Sequence, residues 1–208
     1  MKAASEFFSR IIPKVPGCST PLAEQAVVDA AVYLCEHSLV LKYNTDAFST
    51  VSGTSTYDID VPASHALSRV IYVTVDGDEI QSLPVNNLPL VTTDNAKPTK
   101  YYVTQLESET QLNLYATPDD AYSVVVNVAL RPSTDTTFLA DDLYHYWMEP
   151  IIAGALGRIY AVPGQPFTDY TAADYYQRRA KLLCHNARNE GNIGRVIGSL
   201  QTQPRPFV

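Results

Sequence analysis

The apolar residues of this chain change their spacing twice, from helical to strand-like and back to helical. Residues 20–42 repeat apolar side chains at spacings of three and four, which is typical of a helix. From about 48 to 131, short alternating runs are separated by turn residues such as Asp-Gly, which is typical of antiparallel strands. Helical spacing returns at 143–161 and at 171–189. These changes predict an α+β fold, in which N- and C-terminal helices form a helical bundle with an inserted antiparallel β-module and an extended C-terminal arm.

The same changes set the predicted domain boundaries. Residues 1–47 and 132–190 are assigned to the helical bundle domain, residues 48–131 to a β-sandwich-like module, and residues 191–208 to the arm. The first helix is apolar around most of its circumference, so other elements, including parts of neighbouring subunits, are expected to cover it. Glycines and prolines in the arm oppose regular structure, while its apolar side chains indicate that it becomes ordered on a partner.

Local sequence signals predict where the helices begin and end. Thr20 is the expected N-cap of the first helix, which should run to about residue 42. Pro150 is expected to kink the helix that contains it, because proline lacks the backbone N–H of a helical hydrogen bond. Thr171 and Asp174 resemble a capping box at the start of the last helix.

Charge divides the chain into an acidic body and a basic end. Residues 1–150 hold 8 Lys/Arg against 19 Asp/Glu, a net charge of −11, and residues 151–208 hold 7 against 3, a net charge of +4. Because affinity for phosphate groups comes from Lys and Arg, the body is not expected to hold nucleic acid tightly. No run of about 18 apolar residues is present, so we predict no membrane partner.

The motifs of common enzymes and metal sites are missing from the sequence. The segment "GTSTY" at 53–57 lacks the closing glycine of a nucleophile elbow, and there is no phosphate-binding glycine loop. Cys18 and Cys35 are too far apart for a structural zinc pair, and Cys35 lies on an apolar helix face, where a small core residue is expected. The odd number of cysteines favours reduced thiols in a cytosolic setting. We therefore predict no catalytic residue, no metal and no cofactor.

Basic residues recur along one face of the last predicted helix and continue into the arm. Such a face is usually only solvated, but here the rest of the chain is acidic, which favours contact with an acidic protein over contact with nucleic acid. The basic residues are Arg178, Lys181, His185, Arg188, Arg195 and Arg205. The predicted interface residues are Arg178, Lys181, Arg188, Ile193, Arg195, Val196, Ile197, Leu200, Arg205 and Phe207.

Aromatic residues are concentrated in the same part of the chain. They form either core or a subunit interface, since interfaces favour Tyr and Trp. The set comprises Tyr144, Tyr146, Trp147, Tyr170, Tyr175 and Tyr176.

Two long segments resemble phage head-to-tail adaptor (connector) proteins of the tail tubular protein A or head-completion class. The segment "IIPKVPGCSTPLAEQAVVDAAVYLCEHS" is similar to the family's opening turn and helix, and "EPIIAGALGRIYAVPGQPFTDYTAADYYQRR" to its later helices and Pro-Gly loop. The strand-rich stretch between them resembles the family's β-module. The resemblance covers about residues 11–190.

The resemblance implies a structural virion protein rather than an enzyme. Such adaptors form rings, usually twelvefold, below the portal protein, and they carry the nozzle or tail tube. They enclose the channel through which double-stranded DNA passes during genome ejection, without sequence-specific binding. The implied location is the neck or tail of the virion, after assembly in the host cytoplasm, and the predicted interface would meet the portal or a neighbouring subunit.

Two other function classes stay open at this point. The chain could be a monomeric binding module that uses its β-insert, or a small hydrolase with a non-standard site. A size measurement separates them from the adaptor, because only the adaptor should assemble, alone or with its portal.

Overall fold

The computed structural model describes residues 1–84, 95–106 and 109–193. Five α-helices lie in this part of the chain: α1 (Phe8–Ile11), α2 (Thr20–Ser38), α3 (Asp141–Tyr146), α4 (Met148–Tyr160) and α5 (Tyr170–Ile193). The same ranges hold ten strands: β1 (Lys2–Ala3), β2 (Lys42–Asn44), β3 (Phe48–Ser49), β4 (Thr56–Asp58), β5 (His65–Val75), β6 (Asp78–Ser82), β7 (Lys100–Leu106), β8 (Glu109–Tyr115), β9 (Ser123–Pro132) and β10 (Phe138–Leu139).

Eight of the strands form one large sheet that curls into a half-barrel. Its order is β2-β9-β5-β6-β7-β8-β4, and β3 also pairs with β9. Every neighbouring pair is antiparallel except β6 and β7, which run parallel. The longest ladder joins β5 to β9, and β1 and β10 form a separate two-stranded sheet.

The predicted α+β fold built on a helical bundle is wrong. The protein is mixed α/β, and the curled eight-stranded sheet is its largest element. Helices α2, α4 and α5 contact one another, but α2 also packs against β9. The apolar circumference of α2 is therefore covered partly by the sheet and partly by α4 and α5.

Helix α2 also ends earlier than its apolar pattern predicts. Leu39 adopts the left-handed conformation, with φ 56° and ψ 35°, and its N–H donates to the carbonyl of Cys35. This terminates the helix at Ser38, and the chain enters the sheet as β2 at Lys42. Leu41 packs against both the helical core and the sheet core. The apolar pattern therefore continues beyond the end of the helix, because Leu41 is partly buried by packing outside it.

Two glycines of α4 allow close helix contacts. A Cβ built on Gly154 would lie 2.9 Å from the Cβ of Ala30 in α2, and one built on Gly157 would lie 2.9 Å from Cγ and 3.1 Å from the backbone N of Gln177 in α5. Any larger residue at either position would force the helices apart, since real carbon contacts are longer than this. The position of α5 is therefore fixed by backbone contact with α4.

Several local predictions can be compared with the helix and turn geometry. The break near Pro150 is confirmed, because α3 and α4 are separated at Trp147. The Asp-Gly turn is confirmed between β5 and β6, with positive φ at Asp76 and Gly77. The N-cap of α2 is Ser19 rather than Thr20.

The capping box predicted for the last helix is wrong by two residues. The Asp169 carboxylate accepts hydrogen bonds from the backbone N–H groups of Thr171, at 2.9 Å, and Ala172, at 3.0 Å. These are the second and third helical residues, as for an ordinary N-cap. Helix α5 includes residues 191–193, which the sequence assigned to the arm, and 194–208 lie outside the described residues. The division into domains stays a prediction.

Candidate protein interface on helix α5

Small residues attach α5 to the rest of the protein. Ala173, Ala180, Cys184 and Ala187 are buried at helical spacing, where α5 packs against α4 and α2. Three of these four buried residues are alanines. Because small side chains bring α5 close to its neighbours, the longer side chains are left on its outer face.

The three predicted interface cations in α5 are all exposed, but they do not form one site. Arg178, Lys181 and Arg188 line three separate depressions of the surface. Arg178 pairs with Asp174 one turn earlier, with 3.0 Å between Nε and Oδ1. Lys181 and Arg188 make no hydrogen bond or ion pair among the described residues. The others (Arg195, Val196, Ile197, Leu200, Arg205 and Phe207) lie outside the described residues, and Ile193 is the last residue of α5.

An exposed apolar stripe runs beside Arg178. Tyr175 and Leu182 are 55% and 61% exposed, and they share one face because they are seven residues apart. They line a depression of about 500 Å³ together with Thr171, Asp174, Arg178 and Arg179. Leu182 was not among the predicted interface residues, although an apolar residue on the polar side of the helix was a usable signal.

Ion pairs fix the charged rim of this stripe. Arg179, which sequence analysis did not select, pairs with Glu149 of α4 and donates from Nη1 to the Tyr175 hydroxyl at 3.1 Å. The hydrogen bonds to Glu149 and Tyr175 raise the pKa of Arg179 further above its ordinary value. Exposed apolar groups framed by ordered charges have the layout of a protein interface, with an apolar centre and a polar rim.

The aromatic set is divided between core and surface. Tyr144, Trp147 and Tyr176 are partly buried against the helical core. Tyr146 and Tyr170 are exposed, like Tyr175. The core interpretation is therefore confirmed for the first three residues, and the subunit-interface interpretation of the exposed tyrosines stays a prediction.

A second depression, of about 270 Å³, lies where α5 crosses α2 and α4. It is lined by Tyr33, Arg158 and Lys181, among others. The Arg158 guanidinium lies 5.7 Å from the centre of the Tyr33 ring, and it donates to the backbone oxygens of Gly154 and Asp29. Two cationic groups at this crossing suit an acidic partner.

The thiols are free and two of them are in the core. Cys35 is fully buried, as predicted, and burial raises its pKa to about 12. Burial also raises the pKa of Cys184, and the nearby positive charge of Arg188 partly opposes this rise. Cys18 is only partly buried. In the described ranges, no group of three or more His, Cys, Asp and Glu side chains could hold a metal ion.

None of the helices within residues 1–84, 95–106 and 109–193 combines the length and apolar content that a bilayer span requires.

Comparison with known proteins assigns the chain to a family. The family model for the SU10 adaptor protein matches residues 5–199, nearly the whole chain. The chain belongs to the SU10 adaptor protein family. No curated protein sequence matches it closely enough to count as a relative. Family membership is consistent with the resemblance to phage head-to-tail adaptors, and it suggests a structural, non-enzymatic role in the virion neck.

Proposed function

We propose that the protein is a head-to-tail adaptor that forms a ring between the portal and the tail nozzle or tube of a phage. The observation that carries the proposal is the outer face of α5, where Tyr175 and Leu182 are exposed between ion pairs. Tyr and Arg are enriched in protein interfaces. Family membership supports the adaptor role, and the exposed apolar side chains of α5 support an assembly contact at this face.

The charge distribution supports a head-to-tail arrangement of subunits. Residues 151–208 carry +4 and residues 1–150 carry −11, so the basic end of one copy attracts the acidic body of the next. A contact between two different faces of identical subunits closes into a ring when the rotation between subunits permits it. The twelvefold symmetry implied by the resemblance is part of this proposal.

The channel and the partners follow from the same arrangement. An acidic body repels the phosphates of double-stranded DNA, so the DNA can pass through during ejection without being held. The predicted interface residues of α5 and of the arm, 191–208, would contact the portal or an adjacent subunit. Assembly would take place in the host cytoplasm, and the finished ring would lie in the virion neck.

The proposal is tested by removing the apolar stripe. We expect Tyr175→Ser with Leu182→Ser to weaken ring formation, measured by sedimentation velocity of the full chain alone and with its portal. Each side chain is more than half exposed, so burying it at a subunit contact would contribute roughly 1–2 kcal/mol to the free energy of association. Val51→Ser is the matched control, because Val51 is 60% exposed but lies far along the chain, before β4. A wild-type chain that stays monomeric with its portal would refute the ring, and a double variant that assembles normally would refute the role of α5.

A further inference from the structure

Two arginines from distant parts of the chain line one depression of about 350 Å³. Arg69 belongs to β5 and Arg188 to α5. The end of α2 completes the wall. The lining residues are Glu36, His37, Leu39, Ser68, Arg69 and Arg188.

Neither arginine has a partner for its charge within the described residues. In those ranges, four Lys and Arg side chains make no hydrogen bond, ion pair or ring contact, and two of the four share this depression. The four are Arg10, Arg69, Lys181 and Arg188. Two like charges that line one depression repel each other, and an anion between them would remove that cost.

A β-bulge lies beside Arg69. Leu67 pairs with Leu130 and Arg69 pairs with Ala129, so Ser68 has no partner in β9. Bulges redirect side chains and are common beside binding sites. The Ser68 hydroxyl adds a further hydrogen-bond donor to the wall.

The other polar groups of the wall are already engaged. Glu36 forms an ion pair with Arg131, with 3.3 Å between Oε1 and Nε, so its negative charge is compensated. The ring of His37 stacks on Tyr33 at 4.1 Å, and its Nδ1 lies 2.9 Å from the Tyr33 carbonyl oxygen. Because a carbonyl only accepts, Nδ1 is the donor there. Donors therefore outnumber free acceptors in the depression.

We infer that Arg69 and Arg188 form an anion site that receives a carboxylate side chain from a second copy of this chain. The inference rests on the proposed ring, and it identifies one contact between neighbouring subunits of that ring. Guanidinium groups bind carboxylates in a two-pronged geometry, which gives orientation as well as affinity.

The chain itself supplies suitable carboxylates. Several exposed acidic side chains have no hydrogen bond or ion pair among the described residues, and none of them lines this depression. Examples are Asp46, Asp60, Asp135 and Asp142. A DNA phosphate is disfavoured, because the body carries −11 and duplex binding requires many cations rather than two.

The test compares single-charge variants of the full chain. Arg69→Gln and Arg188→Gln each remove one cation from the depression, and Arg10→Gln removes one unpartnered, exposed cation elsewhere. We expect each of the first two to weaken assembly about tenfold in sedimentation velocity, and Arg10→Gln to leave it unchanged. Arg69→Lys keeps the charge but loses the paired N–H donors of the guanidinium, so its assembly should be intermediate between those of the wild type and Arg69→Gln. Circular dichroism confirms that each variant is folded.

A second measurement separates this inference from the ring proposal. Fluorescence anisotropy follows binding of a labelled hexaglutamate peptide and of a labelled duplex DNA at low salt. If the chain assembles and the Arg69 and Arg188 variants assemble equally well, the anion site is refuted while the ring stands. If the chain does not assemble, peptide binding that both variants weaken supports the site, and binding that neither weakens refutes it. Binding of the duplex in preference to the peptide, sensitive to the same variants, refutes the carboxylate assignment.

Discussion

Helix α4 approaches α2 so closely that one added methyl group should destabilise the protein. In Gly154→Ala, the new Cβ would lie 2.9 Å from the Cβ of Ala30. Non-bonded carbons pack at about 3.5–4.0 Å, so the helices must separate by at least about 0.6 Å. Neither atom can swing away, because each is attached directly to a helical backbone. The strain therefore reaches the contact between α2 and α4.

Two opposing effects set the size of the loss. Alanine favours a helix interior over glycine by about 1 kcal/mol. Overpacking a well-filled core costs about 1–3 kcal/mol. We expect overpacking to prevail, with a net loss of about 1 kcal/mol in the free energy of unfolding. For a chain of this length, that lowers the Tm by roughly 2–4 °C.

Thermal and urea unfolding, followed by circular dichroism, measure this difference. Gly191→Ala is the matched control, since the nearest contact of its new Cβ would be an ordinary 3.6 Å, so only the gain in helix propensity should appear. The double variant Gly154→Ala with Ala30→Gly should be more stable than the sum of its single changes predicts, because the two methyl groups no longer meet. The reasoning fails if Gly154→Ala is as stable as Gly191→Ala.

Three further predictions concern the thiols, a helix cap and a tyrosine. A thiol-specific reagent should modify only Cys18 in the native protein and all three cysteines after unfolding, because the other two are buried; three reactive thiols in the native state would contradict the core packing. Asp169→Ala should cost about 1 kcal/mol in urea unfolding, whereas Asp169→Asn, which keeps an acceptor, should cost much less. The hydrogen bond from Tyr122 to Asp119 raises the pKa of Tyr122 to about 12, so its contribution to stability is complete below about pH 10 and is lost as pH rises towards 12. In a ¹³C NMR titration, Asp119→Asn should lower the pKa of Tyr122, and an unchanged value would contradict the assigned cause.

Sequence patterns predicted the elements whose cause is local. Pro150 breaks its helix because a missing N–H acts within one turn, and Asp76-Gly77 makes a hairpin turn because both residues tolerate positive φ. The end of α2 was mispredicted because the apolar pattern continues through Leu41. Leu41 packs against two cores, and a hydrophobic pattern does not reveal which core an apolar residue contacts.

The candidate surfaces divide in the same way. The exposure of Arg178 and Lys181 followed from helical spacing alone. The neighbours of Arg188 could not be predicted from helical spacing. Arg69 and His37 lie near it only because β5 pairs with β9 and α2 packs against both strands. Such long-range contacts depend on the sheet topology, which the hydrophobic pattern does not specify.

The central position of β9 has a consequence for how the chain folds during its synthesis. Strands β2, β3 and β5 all pair with β9, yet each leaves the ribosome before it. At roughly 5–20 residues per second, the edges of these strands stay without their final partner for several seconds. Unpaired strand edges are prone to pair with other chains. Nascent chains of this protein should therefore aggregate most readily when translation pauses before β9 has left the ribosome, and chaperone capture should be greatest in the same interval.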